Sequence, residues 1–475
     1  MTPTRKRIAV VLGVALACAP ACRREVESPE SIMARRFESL RSQPDALLAF
    51  LRDMPKGGDL HNHLVGAIYA ESLAAWAADE RLCVARATSA LSSPPCDPAQ
   101  GRRPVTDAVK DPAMYRAMID AWSMRGGAPA AGLGHDHFFA AFDKFMPATA
   151  GRLGSMLAEA ASRAAADHVS YLELMITPDD GLAGQAAQQA GWRGDLAATA
   201  AKLEGGGLAP ADKKVRDAVR DGEAERDRLL KCGTPQAAPG CAVTMRYLYQ
   251  ALRALPLPAV FAQLVLGFRL ASDPGSGFVG VNLVQAEDNP SALKNFDAEM
   301  QMFKFLRPRY PRAHLSLHAG ELVPALEGTA ASTRSHIRDS VEIAGADRIG
   351  HGVDILDEPN PDQLLGEMAQ RHVLVEICLT SNAVILGVSG VAHPLAAYLS
   401  HGVPVALATD DEGVERTDMT HQYLLAATDQ KLGYLALKNM ARASLEYAFV
   451  EADTKARLRS DLDRAFTEFE SRAAR

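Results

Sequence analysis

Four short polar clusters each close a strand-like run of this sequence: His61-Asn62-His63, His318-Ala319-Gly320-Glu321, Gly350-His351-Gly352 and Asp410-Asp411. In an extended strand, residues two apart share a face. His61 and His63 can therefore both turn toward one ion while Asn62 points away. Imidazole nitrogen with carboxylate oxygen is a donor combination that suits zinc. His61, His63, His318 and Asp410 form such a set and leave a position for water. Zinc lowers the pKa of a bound water from about 15.7 to roughly 7, so the chemistry expected is hydrolysis at neutral pH. Each element alone has an ordinary explanation. A His-x-His recurs by chance, a lone buried histidine is usually a hydrogen-bonded core residue, and Asp410-Asp411 could cap a helix after Val414. What sets them apart is that all of them end strand-like runs.

Those runs fall at 58–64, 169–175, 243–249, 278–284, 314–318, 348–350, 373–378 and 403–409. Helical periodicity separates them, for example at 151–167, 259–270, 292–306 and 363–371. Strands alternating with helices predict a parallel sheet, and eight repeats predict a closed (β/α)8 TIM barrel. Such a barrel gathers the C-terminal ends of its strands on one face, where the four clusters would meet. A helical stretch within 23–52 precedes the barrel, which is expected to occupy 53–475. Two insertions interrupt it. One, about 83–134, is rich in Ser, Pro, Gly and charge and predicts little regular structure. The other, about 181–240, is rich in Ala, Gly, Lys and Arg, with a charged helical middle, and predicts an exposed excursion.

At 475 residues and 48% hydrophobic, the chain is long enough for a large core. A net charge of −7 gives no basis for a nucleic-acid partner. Arg5, Lys6 and Arg7 precede an apolar run at 8–17, which is of signal-peptide length and too short to span a bilayer. Residues 1–22 are read as a signal. Small residues before Cys18 and before Cys22 make either a candidate lipid anchor, and the expected location is periplasmic, secreted or lipid-anchored. Cys83 with Cys96 and Cys232 with Cys241 are candidate disulfides in an exported chain, whereas Cys378 reads as an inert buried thiol. No Cys-x-x-Cys occurs, which disfavours a cysteine zinc site.

The stretches MPKGGDLHNHLVGA from Met54, FFAAFDKFMPATAG from Phe138, SLHAGE from Ser316, RIGHGVDIL from Arg348, EICLTSN from Glu376 and ATDDEGV from Ala408 resemble adenosine deaminases, within the metal-dependent amidohydrolase superfamily. VTMRYLYQALR from Val243 and the HP…HGVPV pattern from His393 resemble the secreted, growth-factor-like branch. The resemblance implies one zinc per chain, held by His61, His63, His318 and Asp410. It implies that Glu321 protonates purine N1, that His351 orients the attacking water and helps take its proton, and that Asp411 meets N7. Phe138 and Phe139 match an apolar gate over the base, although ordinary helix core explains them as well. The implied reaction converts adenosine or 2′-deoxyadenosine to inosine and ammonia. The partner would be a small purine nucleoside, with no nucleic acid and no transmembrane span. Two positions depart from the pattern. Val65 stands where the family has an Asp that contacts the ribose 5′-hydroxyl, and Gln285 where it has a Gly that contacts N3. Deamination of another aminopurine, or an inactive exported binding protein, are the alternative readings. The His-x-Glu and Pro-Cys-x-x-Cys signature of cytosine deaminases is absent.

Overall fold

The computed structural model describes residues 27–126, 134–324, 326 and 335–472. The expected signal, with Cys18 and Cys22, lies outside the described residues. Eight strands run in chain order around one sheet: β1 Gly57–His63, β2 Val169–Ile176, β3 Thr244–Leu252, β4 Phe278–Val284, β5 His314–Ala319, β6 Arg348–His351, β7 Leu374–Ile377 and β8 Val405–Leu407. Every neighbouring pair is parallel. The ring closes just past β8, through a parallel bridge between Asn62 and Asp410. His63 N–H donates to the Asp410 carbonyl at 3.2 Å, and Asp410 N–H donates to the His61 carbonyl at 2.9 Å. With helices outside, the architecture is the expected (β/α)8 barrel. Strands covered on both faces read as continuous apolar runs, which is how those such as β4 stand out in the sequence.

The helix after β3, Leu257–Ala271, buries Val260 to Phe268 without a break, and Pro290–Leu306 follows β4. The N-terminal stretch forms two helices, Pro29–Leu40 and Pro44–Asp53. Pro44 restricts the residue before it and opens the second helix at its first turn. Phe37 and Phe50 from this pair pack with Tyr434 and Phe469 of the last helices at centroid distances of 5.1 to 6.4 Å. The extension is thereby fastened to the end of the chain. Among the described residues no helix is long and apolar enough to cross a membrane.

Both insertion readings need correction. Where little regular structure was expected, Cys83–Ala85 pairs antiparallel with Leu91–Ser92 and Arg102–Pro104, followed by the helices Val105–Ala108 and Pro112–Ala121. Strands of two or three residues are too short to show a period. The Cys83–Cys96 disulfide and the Trp122 indole, whose N–H reaches the Ser89 carbonyl at 2.8 Å, hold this sheet instead. Residues 127–133 of this insertion lie outside the described residues. In the second insertion the charged middle is the helix Ala209–Leu230, closed by the Cys232–Cys241 disulfide. It is not a free excursion. It buries Ala211, Val215, Val219 and Gly222, the last of these in close contact with Leu153.

Candidate active site

The ends of the strands bring the four predicted donors together. His61 and His318 face each other Nε2 to Nε2 at 3.1 Å, and His63 and His318 do so at 3.2 Å. Asp410 Oδ1 lies 3.6 Å from His61 Nε2 and 3.4 Å from His63 Nε2. The other ring nitrogens fix the tautomers. His61 Nδ1 donates to Glu376 at 2.7 Å, which also receives the Ser316 hydroxyl and pairs with Arg348 Nε at 2.6 Å. His318 Nδ1 donates to Asn282 Oδ1 at 2.8 Å, an orientation set by the Asn282 amide donating to the Ser316 carbonyl. His63 Nδ1 donates to Gln250 Oε1 at 3.0 Å. With all three Nδ1 atoms engaged, three Nε2 lone pairs and a carboxylate oxygen point at one spot.

Facing acceptors repel unless a cation lies between them. Metal–ligand distances of 2.0–2.1 Å in a tetrahedron give edges of about 3.3 Å, close to the spacings found. These residues therefore fit a zinc-sized ion. Two overlapping clusters among the described residues fit less well. One needs the Cys378 thiol, whose pKa burial pushes well up, so it stays protonated. The other needs Asp411 and Glu415, both held well above the carboxylate range by burial and by the Asp410 charge.

Burial pushes His63 down to about 4, with Asp410 opposing. Burial and the neighbouring imidazoles drive His318 well below its ordinary value. His61 is also penalised by burial, but its bond to Glu376 and the Asp410 charge outweigh this and raise it. Asp410 is held down at about 2, because the surrounding imidazoles outweigh its burial. Glu321 moves the other way. Burial, then the charges of Asp410 and Glu287, push it well above the carboxylate range, which favours the protonated acid. His351 and Asp410 both adopt positive φ, at +67° and +60°. Such backbone costs of order 1–3 kcal/mol and clusters at functional sites.

A cavity of about 500 Å³ opens onto these groups. His63, His318, Glu321, His351, Asp410 and Asp411 line its floor, and Val65, Phe138, Phe139, Phe142, Val284 and Gln285 its walls. Phe138 is buried and meets both Phe139 and Phe142 edge to face. Both gate candidates thus reach the cavity. Asp411 sits at the start of the short helix Glu412–Glu415, yet its side chain makes no capping bond, so the capping explanation does not hold. Gln285 occupies a left-handed position, φ +86°, of the kind glycine prefers, and its Oε1 receives the Ala254 N–H at 3.0 Å.

Several residues of the site gave no sequence signal of their role. Glu287 receives the backbone N–H groups of Gly320 at 3.1 Å and Glu321 at 2.8 Å, and it pairs with His336 at 2.5 Å. That pairing outweighs burial and holds Glu287 at about 2. Arg253 donates to the carbonyls of Leu283 and His318. Glu376 and Asn382 lie in a stretch flagged by resemblance, but their spacing alone carries no pattern.

The sequence model of the adenosine deaminase family matches residues 135–465. Adenosine deaminase of Escherichia coli strain SE11 is 34% identical over 165 residues, which are 34% of this chain. The matched stretch spans about half of that relative's length, 46%. Among solved structures, adenine deaminase of Arthrobacter aurescens superposes with a TM-score of 0.57 at 16% identity, covering 87% of this chain and 99% of its own. An amidohydrolase of Burkholderia ambifaria, solved with bound zinc, gives 0.59 at 19% identity, covering 90% and 95%. At these identities the superpositions carry the fold. Because the family match covers most of the barrel and every donor from His318 to Asp410, the chain belongs to the adenosine deaminase family.

Proposed function

We propose that this protein is a zinc-dependent hydrolase that removes the exocyclic amino group of adenosine or 2′-deoxyadenosine, giving inosine and ammonia. The observation that carries the reading is Glu321. It is a buried carboxyl on the floor of an aromatic-walled cavity beside the four-donor cluster, its pKa pushed up by burial and by neighbouring carboxylates. An acid so placed can protonate a ring nitrogen as the adjacent carbon is attacked, and general acid catalysis of this kind is worth about 10²–10⁴-fold. Asp411, its carboxyl likewise pushed up by burial and by the Asp410 charge, would donate to a second ring nitrogen. His351 would orient the attacking oxygen. Phe138, Phe139 and Phe142 would stack over the base and exclude bulk water, which strengthens the polar contacts beneath. One zinc per chain, held by His61, His63, His318 and Asp410, would supply a water acidified to neutral pH. The zinc carried by the Burkholderia structure supports that assignment. The test is ammonia release from adenosine by purified protein, with and without a chelator, alongside metal analysis. Chelator-sensitive release supports the reading. Zinc-loaded protein that releases no ammonia would refute it.

Val65 and Gln285 favour a second reading, in which another aminopurine or a modified adenosine is preferred. A valine cannot receive a ribose hydroxyl, and one lost hydrogen bond costs about 0.5–1.5 kcal/mol. Under this reading kcat/KM for 5′-deoxyadenosine is comparable to that for adenosine. A strong preference for adenosine would refute it.

A further inference from the structure

His393, in the loop after β7, has no place in the chemistry above, yet it is buried and fully hydrogen-bonded. Its Nδ1 accepts the backbone N–H of Leu395 at 3.1 Å. A backbone N–H can only donate, so this contact fixes the ring. Burial holds the imidazole at about 4, hence neutral at physiological pH. Its one proton therefore sits on Nε2, which donates to Asn382 Oδ1 at 3.0 Å. The orientation of the Asn382 amide follows from this. Its Nδ2 faces His351 Nδ1 at 3.1 Å and donates there. The Glu321 carboxyl is 3.8 Å from the same nitrogen, too far to compete. His351 Nδ1 is thus an acceptor, and the ring proton must be on Nε2. That nitrogen is buried, has no partner within hydrogen-bond distance, and lies 3.7 Å from Asp410 Oδ2 at the cavity floor.

We propose that His393 and Asn382 are positioning residues that lock His351 as the Nε2–H tautomer, so that it meets the attacking oxygen as a hydrogen-bond donor. This rests on the deaminase reading for its catalytic consequence and changes one role within it. With Nδ1 occupied by the Asn382 amide and Nε2 already protonated, His351 has no free lone pair. It stabilises charge that develops on the oxygen and does not take the water's proton. The direction of every bond in the chain is set by the Leu395 N–H and not by any assumed rotation of the amide. Donors preorganised toward developing charge are the most effective electrostatic elements of such sites.

The test uses zinc-loaded protein labelled with ¹⁵N-histidine. The His351 signals are assigned by their loss in His351→Asn, and long-range proton–nitrogen correlation reads which ring nitrogen is protonated. The expected result is protonated Nε2 and unprotonated Nδ1. Asn382→Asp replaces the donor with an acceptor of equal size and should move the proton to Nδ1. It should lower kcat about 100-fold, the scale of losing one such donor, with KM changed little and zinc retained. His393→Gln keeps a donor toward Asn382 and should stay near wild type, whereas His393→Phe should not. A wild-type ring protonated on Nδ1, an Asn382→Asp enzyme with normal kcat, or equal effects of Gln and Phe at position 393 would overturn the proposal. The NMR arm needs no substrate, so its result stands whether or not adenosine is deaminated.

Discussion

Glu321→Gln separates proton donation from every other contribution of that side chain. The carboxyl is buried, and both its burial and the charges of Asp410 and Glu287 push its pKa up and favour the neutral form. A glutamine has the same shape, is also neutral and still donates a hydrogen bond. It cannot transfer a proton. Substrate should bind with nearly unchanged KM while kcat falls about 10²–10⁴-fold, or roughly 3–5 kcal/mol of transition-state stabilisation. Stability should move in the opposite direction. A carboxyl with a raised native pKa costs nothing below its unfolded value, and it costs progressively more as pH rises from there toward the native value. The variant stripped of zinc should therefore melt higher than the equally stripped wild type at pH 7, and the gap should close near pH 4. Steady-state kinetics, zinc content and melting at two pH values make up the assay. Near-normal turnover would remove Glu321 as the acid, and a lower melting temperature at pH 7 would refute the protonated state assigned to it.

His61→Ala removes one of four donors while Glu376 keeps its Arg348 partner, so the protein should fold but fail to retain zinc. Stoichiometric zinc in that variant would strike His61 from the set. A Cβ at Gly66 would lie 1.5 Å from Asp411 Oδ1, where ordinary contact needs at least 3.4 Å. Gly66→Ala must therefore displace that carboxyl by about 2 Å, and a misplacement of this size should cost 10²-fold or more in kcat with zinc still bound. Undiminished kcat would show that Asp411 is not needed where it stands. Glu299 is buried with both oxygens unpartnered, and its pKa is raised from 4.5 to about 8. At pH 8 that displacement corresponds to roughly 4 kcal/mol against the native state, and the cost fades as pH falls to about 4.5. Glu299→Gln should raise the melting temperature at pH 8 and leave it nearly unchanged at pH 4.5, and equal gains at both would contradict the assignment.

The barrel was legible because strands such as Phe278–Val284 are covered on both sides and need no alternation to be seen. The candidate site residues were legible because His61 and His63 carry their geometry locally, and because His318, His351 and Asp410 each mark the end of a strand-like run. The residues that aim them were not. Glu376, Asn282 and Gln250 are polar side chains inside apolar strands, and their partners come from other strands. No spacing along the chain encodes those pairings. The break at Pro44 and the three short strands after Leu82 failed for a different reason: one residue or a disulfide decides them, where a periodic pattern has nothing to register.

The ring closes at its first and last strands through His61, Asn62, His63 and Asp410, while Thr409 N–H and hydroxyl both reach Asp59 across 350 residues of chain. Three of the four residues at that joint are also donors. A growing chain not yet extended to Thr409 would present imidazoles without their carboxylate, and an ion could find no complete cage until the two edges met. Ion capture would then act as a rivet driven last. Its free energy would be spent on the joint between the first and last strands, and its uptake during refolding would time the moment at which the cylinder shuts.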